Sequence, residues 1–190
     1  MSNITKRAMA QSLKKMLLVK DIDKITITDI TNDCGINRQT FYYHFKDIYD
    51  LLEWIFANEV VEKIEKETTI ETWQENFKYV LDYMLKNKKF IIKTYNSLSR
   101  KTLLDFLFNQ YNTIFIEIVN DLSKNYNITK ENKIFIANFY KYGFAGIIEN
   151  WIVTEMKESP ENIIKKLDVM ISGSFEEAVK KMSNWNSKPN

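Results

Sequence analysis

Residues 27–52 read ITDITNDCGINRQTFYYHFKDIYDLL. The order of residue types is that of two short helices joined by a tight turn. Thr28 is an N-cap residue for a helix over 28–34. It is followed three residues on by Thr31 and not by an acid, which predicts a plain cap and no capping box. Gly35 falls where that helix must stop, at the position that favours positive φ. Asn37 is a second N-cap, and it opens a helix running to about Phe45. Helix, glycine turn and helix in this span have the dimensions of a helix-turn-helix.

The second helix sorts its residues by face. Phe41 and Phe45 lie four apart and share a stripe that Ile48 and Leu52 extend. Ile27, Ile30 and Ile36 are placed to pin the two helices together. Tyr42, Tyr43 and His44 span about 200° at 3.6 residues per turn, so they cannot all join the buried face. Arg38, Gln39 and Thr40 stand at the start of the same helix. Arg and Gln pair bidentately with guanine and adenine edges, and a Thr methyl touches a thymine methyl. Tyr hydroxyls and imidazole nitrogens donate to phosphate oxygens. Lys46, at the junction to the next helix, is placed to meet a phosphate beside that helix's N-terminus.

Outward from this stretch the pattern stays helical. Met9, Leu13, Met16 and Leu17 mark a helix from about Thr5 to Val19, broken by Asp21-Ile22-Asp23-Lys24. Ile48, Leu51, Leu52, Ile55, Phe56, Val60 and Ile64 predict a connector helix reaching about Lys66, and 67–72 reads as a connection. Trp73, Phe77, Val80, Leu81 and Met84 mark a further helix, and 90–95 is short and apolar. Long helices are predicted from Ser99 or Arg100 to Leu122 and, capped by Thr129, from 130 to about Met156. Ser159-Pro160-Glu161 combines an N-cap, a proline at the first helical position and a first-turn acid. It opens a helix to about Ser172. Gly173 interrupts it, and Ser174-Phe175-Glu176-Glu177 has the form of a capping box for a last helix.

Composition sets bounds on function. With 4 Gly and 2 Pro in 190 residues, the chain can build few tight turns, which fits long helices with short connections. Net charge is +2, but residues 1–20 carry Lys6, Arg7, Lys14, Lys15 and Lys20 and no acid. Residues 53–75 carry seven Glu against Lys63 and Lys66. An anionic partner, if the chain has one, is expected to meet the N-terminal part; the alternative is a pair of solvated helix faces. His44 and Cys34 are each the only one of their kind. That leaves no metal-ligand set and no disulfide. No nucleophile–base pair or phosphate loop is visible, so neither an enzyme nor a cofactor is expected. The lone cysteine fits a reducing compartment. No apolar run approaches the roughly 20 residues of a membrane span, and no secretory signal is seen, so a cytoplasmic location with no membrane partner is expected.

The stretch 27–52 resembles the DNA-binding head of the TetR family of bacterial transcription regulators, with Gly35, Tyr42, His44, Phe45 and Leu51 at the family's spacing. The likeness covers about residues 5–55. It departs at Thr31, where a small Ala is usual, at Phe41 in place of Leu, and at Ile48 in place of a Lys that meets phosphate. Gly143, Gly146, Trp151 and 156–161 resemble a subgroup that includes regulators of dihydroxyacetone-kinase operons. The resemblance implies an all-α fold of about nine or ten helices. A helix-turn-helix head (1–47) would sit with a helical ligand-sensing and dimerisation domain (48–190). It also implies a homodimer on a palindromic double-stranded operator, under a small-molecule or protein effector. The DNA-binding set is then Thr28, Asn37, Arg38, Gln39, Thr40, Tyr42, Tyr43, His44 and Lys46, with Thr28 contributing as helix N-cap. Helices 130–156 and 160–172 are implied as the dimer surface. Tyr95, Phe106, Tyr111, Phe115, Phe139, Tyr142 and Trp151 are aromatic candidates for a pocket wall or simple core, and Asn109, Asn112, Asn138 and Asn150 are their polar neighbours. The alternative reading is a helical interaction module, or an activator controlled by a partner protein.

Overall fold

The computed structural model describes residues 2–60, 69–97 and 99–185, among which every regular element is helical. The chain divides into two compact units. One holds Met1–Lys63 with Tyr83–Phe106, the other Ile64–Asp82 with Leu107–Asn190. No helix among the described residues is long and apolar enough to cross a membrane.

The first unit begins with α1 (Ser2–Leu17), a 3-10 turn (Ile22–Lys24), α2 (Ile27–Asp33), α3 (Arg38–His44) and α4 (Ile48–Glu59). It is completed by the end of α5 (Trp73–Lys86), by α6 (Lys88–Tyr95) and by the start of α7 (Arg100–Leu122). Helix α1 starts earlier than the expected Thr5, because no Gly or Pro precedes it to stop the helix. It ends in a turn in which the Lys20 N–H donates to the Met16 carbonyl at 2.8 Å. Its stripe of Met9, Leu13 and Leu17 is buried, and α1 packs against α2, α4 and α6. Leu51, Leu52, Ile55 and Phe56 are the buried face of α4, while Ile48 is only half-buried. The rings of Phe90 and Phe106 lie 5.7 and 5.2 Å from that of Phe56. The expected extension of α4 from residue 61 to Lys66, and the start of the 67–72 connection, fall outside the described residues.

The second unit is built from the first part of α5, the second part of α7, α8 (Lys130–Val153), α9 (Pro160–Ile171) and α10 (Ser174–Trp185). Tyr140, Phe144, Ile148 and Trp151 bury one face of α8, and Ile163, Ile164, Leu167 and Ile171 one face of α9. Phe175 of α10 stacks on Tyr140 at 3.6 Å. Gln74 donates to Asp168 at 2.6 Å, and Lys78 pairs with Glu161 at 2.8 Å, tying α5 to α9.

Two helix ends differ from the expected ones. Helix α8 stops at Val153, three residues before Met156, in a left-handed turn without glycine. Glu155 has φ 57° and Met156 φ 50°. The N–H groups of Glu155 and Met156 close on the carbonyls of Ile152 (2.9 Å) and Trp151 (2.7 Å), the bonding of a Schellman motif. Left-handed backbone is strained on residues that carry side chains, and two interactions hold it here. Met156 is buried, and the Trp151 indole N–H donates to the Glu158 carbonyl at 2.8 Å. The second difference is at Ser174. Its hydroxyl donates to the Ile171 carbonyl (2.8 Å) and accepts from Tyr140 (2.8 Å), and the Glu177 N–H goes to the Gly173 carbonyl (3.1 Å). The expected capping box gives way to a tertiary contact. At Ser159 the expectation holds: its side chain accepts from the Asn162 N–H and Pro160 opens the helix.

Candidate functional site

Two caps and one turn build the α2–α3 unit. Thr26, not Thr28, is the N-cap of α2. Its hydroxyl accepts from the Asp29 N–H at 3.1 Å, and the Asp29 carboxylate accepts from the Thr26 N–H at 2.9 Å, a reciprocal capping box. Thr28 is exposed in the first turn of α2, so its expected capping role passes to Thr26. The hydrogen bonds from Thr26 backbone and side chain hold the Asp29 carboxyl below its ordinary value, and Lys20 adds to this. Helix α2 ends on Gly35 at φ 66°. The Gly35 and Ile36 N–H groups donate to the carbonyls of Asn32 (3.2 Å) and Thr31 (3.0 Å). Thr31, where a small residue is usual, is buried and donates its hydroxyl to the Thr28 carbonyl at 3.2 Å.

Asn37 caps α3. Its side-chain oxygen accepts from the Thr40 N–H at 2.7 Å and from the Thr40 hydroxyl at 2.9 Å. That oxygen and that hydroxyl are therefore engaged within the helix. Asn37 is exposed and Thr40 half-buried. Phe41 and Phe45 are buried as expected, and the Phe45 ring meets Trp54 at 5.9 Å. Arg38 and Gln39 are exposed. The Arg38 guanidinium donates to the Tyr42 hydroxyl at 3.3 Å and lies 6.0 Å from that ring. Tyr43 is 83% exposed, the largest value among the aromatic side chains described. His44 is half-buried beside it, ring to ring at 4.9 Å.

At the start of α4, the Asp47 carboxylate accepts from the Asp50 N–H at 2.8 Å, and the Asp50 carboxylate accepts from the Lys46 N–H at 2.9 Å. Two carboxylates thus occupy the helix N-terminus expected to help Lys46 hold a phosphate. The exposed Lys46 ammonium is left to act by its own charge. The basic front is also partly engaged: Lys15 pairs with Asp33 at 3.0 Å, and Lys20 lies 4.0 Å from Asp29. Lys6 stands 5.6 and 5.8 Å over the rings of Phe45 and Trp54, which steadies the anchor of α3 from α1. Cys34 is a free, half-buried thiol whose pKa burial pushes up, the opposite of an activated thiolate.

The second unit holds a cavity of about 30 Å³. Trp73, Asn76, Phe77 and Val80 of α5 line it, with Tyr111, Ile114 and Phe115 of α7 and Phe144 of α8. Of the aromatic candidates, Tyr111 and Phe115 line this cavity. Phe139 and Tyr142 are exposed, and Trp151 is core. Tyr95 and Phe106 belong to the first unit. Asn109, Asn112 and Asn150 are exposed and Asn138 is half-buried. The wall also holds the amide side chain of Asn76, which periodicity alone does not single out.

Known proteins fit this architecture. The TetR-type family model described as "Transcriptional regulator C-terminal region" matches residues 71–173. The HTH-type dhaKLM operon transcriptional activator DhaS of Lactococcus lactis subsp. lactis (strain IL1403) is 27% identical over 154 residues, covering 80% of this chain and 81% of that protein. A solved structure of the dihydroxyacetone kinase operon activator DhaS superposes with a TM-score of 0.70 at 23% identity, covering 92% of this chain and 97% of that one. NalD, the secondary repressor of the MexAB-OprM efflux pump in Pseudomonas aeruginosa, superposes at 0.58 with 12% identity, covering 90% and 94%. With a family model spanning more than half of the chain, and with an all-helical fold shared with these regulators, this protein belongs to the TetR family of transcriptional regulators and is similar to the DhaS type.

Proposed function

We propose that the chain is a sequence-specific DNA-binding regulator that works as an effector-controlled homodimer. The observation that carries this is the sorting of α3: Phe41 and Phe45 are buried while Arg38, Gln39, Tyr42 and Tyr43 stand outward. In this reading Arg38 and Gln39 meet base edges, with the Thr40 methyl beside them. Tyr42, Tyr43, His44 and Lys46 hold phosphates, and Asn37 and Thr28 lie at the rim of the same surface. Residues 1–47 are the DNA-reading part, and 48–190 carry sensing and dimerisation.

The dimer reading is supported by the outer face of α8. Phe135, Phe139, Tyr142 and Val153 are all more than half exposed there, as are Val169 and Met170 on α9. A Cβ added at Gly143 or Gly146 would meet nothing within 4 Å. Nothing among the described residues demands glycine at either place, although each costs helix stability. Close approach of a second copy supplies the reason. Two heads would then reach successive major grooves about 34–36 Å apart. The DhaS relative is described as an activator, and we propose activation as the sign. A gel shift on DNA upstream of the gene, titrated with salt, tests the reading. Retention of a specific band, with affinity falling steeply as salt rises, is expected. Equal affinity for upstream and random DNA at every salt concentration sinks it.

A further inference from the structure

Helices α7 and α8 form a hairpin joined by residues 123–129. Toward its open end the Lys141 ammonium donates to the Asn112 side-chain oxygen at 3.2 Å and lies 4.8 Å from the centre of the Tyr142 ring. Asn120 comes eight residues after Asn112, and Lys133 eight before Lys141. The antiparallel run therefore brings Asn120 and Lys133 together nearer the turn. Between these two rungs lies a groove of about 300 Å³, a volume in the range of small-ligand sites. Ile116, Ile134 and Ala137 are its apolar wall, and Lys130 joins Lys133 at the turn end. Lys130 is exposed and Lys133 half-buried, and neither ammonium has an ion pair among the described residues. Among those residues no Asp or Glu lines the groove. Of the acids close by in sequence, Glu117 and Glu131 are exposed outside the wall, and Asp121 pairs with Lys124 at 2.5 Å.

We propose that this groove binds an amphiphilic anion, an alkyl chain ending in a carboxylate. The carboxylate meets Lys130 and Lys133, and the chain lies along Ile116, Ile134 and Ala137. The site is separate from the small cavity between α5, α7 and α8, and it stands whether or not the chain binds DNA. Negative charge follows from two cations and no acid in the wall. Two free ammonium groups match in number the two oxygens of a carboxylate, where a phosphate brings a third. An alkyl body follows from the aliphatic wall, which gains by covering its apolar surface from water. From Lys130 to Ala137 the helix rises about 10 Å, the reach of roughly eight carbons. Lys141 is engaged by Asn112 and Tyr142, so the far end offers no second free cation. The site therefore asks for one charged end, not two.

Octanoate, 1-octanol, octylammonium and acetate separate charge from chain. Binding is read on the full chain, without DNA, by titration calorimetry and from the melting temperature. Octanoate should bind about tenfold tighter than 1-octanol, the worth of two partly exposed charge contacts. Octylammonium and acetate should not bind. In the double variant Lys130→Gln with Lys133→Gln, octanoate should fall to the level of 1-octanol, while the melting temperature without ligand stays. Lys86→Gln with Lys89→Gln removes the same charge from exposed positions in the first unit, and it should leave octanoate binding unchanged. Ile134→Asn, at a side chain already 41% exposed, should weaken octanoate and 1-octanol alike. Equal binding of octanoate and 1-octanol, a preference that survives the Lys130 and Lys133 changes, or an equal loss in the Lys86 and Lys89 control overturns the proposal. Absence of octanoate binding does so too. If a chain of that kind pellets with phosphatidylglycerol vesicles, the lysines meet a membrane surface instead.

Discussion

Arg38 shows how much a single side chain can be asked to do. Its contact with Tyr42 lays it along α3, so less freedom is lost when it reaches a base. If it reads guanine, Arg38→Ala should cost about 1–3 kcal/mol on the specific site and relax preference at one base pair. Binding to a set of single-base operator variants checks this, and a uniform loss on all of them would instead make Arg38 a phosphate contact. Asp29 belongs to the same scale. Its folded pKa is depressed below 3.8 by the Thr26 hydrogen bonds. Its stabilising effect is therefore present above pH 3.8 and is lost as pH falls through the folded value. Asp29→Asn should lower the melting temperature at neutral pH and match the wild type once the carboxyl of the latter is protonated. Melts across the acid range test the sign. Gly35, Asn37, Phe41 and Phe45 are readable from the sequence because each satisfies a local rule. Thr26 is not, because Thr28 is an equally good cap by type. What decides is the acid three residues after Thr26, an Asp where Glu or Gln is the commoner partner.

Helices meet through a few shared groups, and Lys14 is the clearest of them. Its ammonium lies 2.5 Å from Glu59 at the end of α4, and 5.5 and 5.4 Å over the rings of Tyr83 on α5 and Phe90 on α6. The Tyr83 hydroxyl donates to the same Glu59 oxygen at 2.9 Å. One cation from α1 thus draws together three other helices, at side-chain exposures of 21% and 30% for the pair. A double-mutant cycle of Lys14→Met and Glu59→Gln should return a coupling of about 1–2 kcal/mol, above the usual surface pair. Additive effects in urea unfolding would reduce the contact to a surface accident. Helix existence is legible almost everywhere in the sequence, since the apolar period is strong. The end of α8 is not, because its left-handed turn is held by the Trp151–Glu158 contact and not by a glycine. Which α8 face is inside is also hidden. Large apolar residues stand on both, with Tyr140, Phe144 and Ile148 buried and Phe139 and Tyr142 exposed. Pattern alone therefore offers Phe139 and Tyr142 as pocket residues and passes over Phe144.

For the molecule as a whole, the glycines of α8 separate folding from assembly. Gly146→Leu should raise the stability of the single chain by about 1 kcal/mol through helix propensity. The same change should weaken self-association at least tenfold, about 1.4 kcal/mol, if a second helix approaches there. Sedimentation over a concentration series reads the second effect and chemical denaturation the first. Unchanged association in a stabilised variant would remove α8 from the interface. The packing of α1 has a further consequence, for engineering. Because α1 rests on α4 and α6, and its compact unit draws on residues 83–106 as well as the N-terminal stretch, cutting after residue 47 would strip apolar cover from Met9, Leu13 and Leu17. A chimera built by transplanting those 47 residues onto a foreign sensor should therefore be prone to precipitate. One that carries α4 and the 83–106 segment along with them takes its own foundation and should stay in solution.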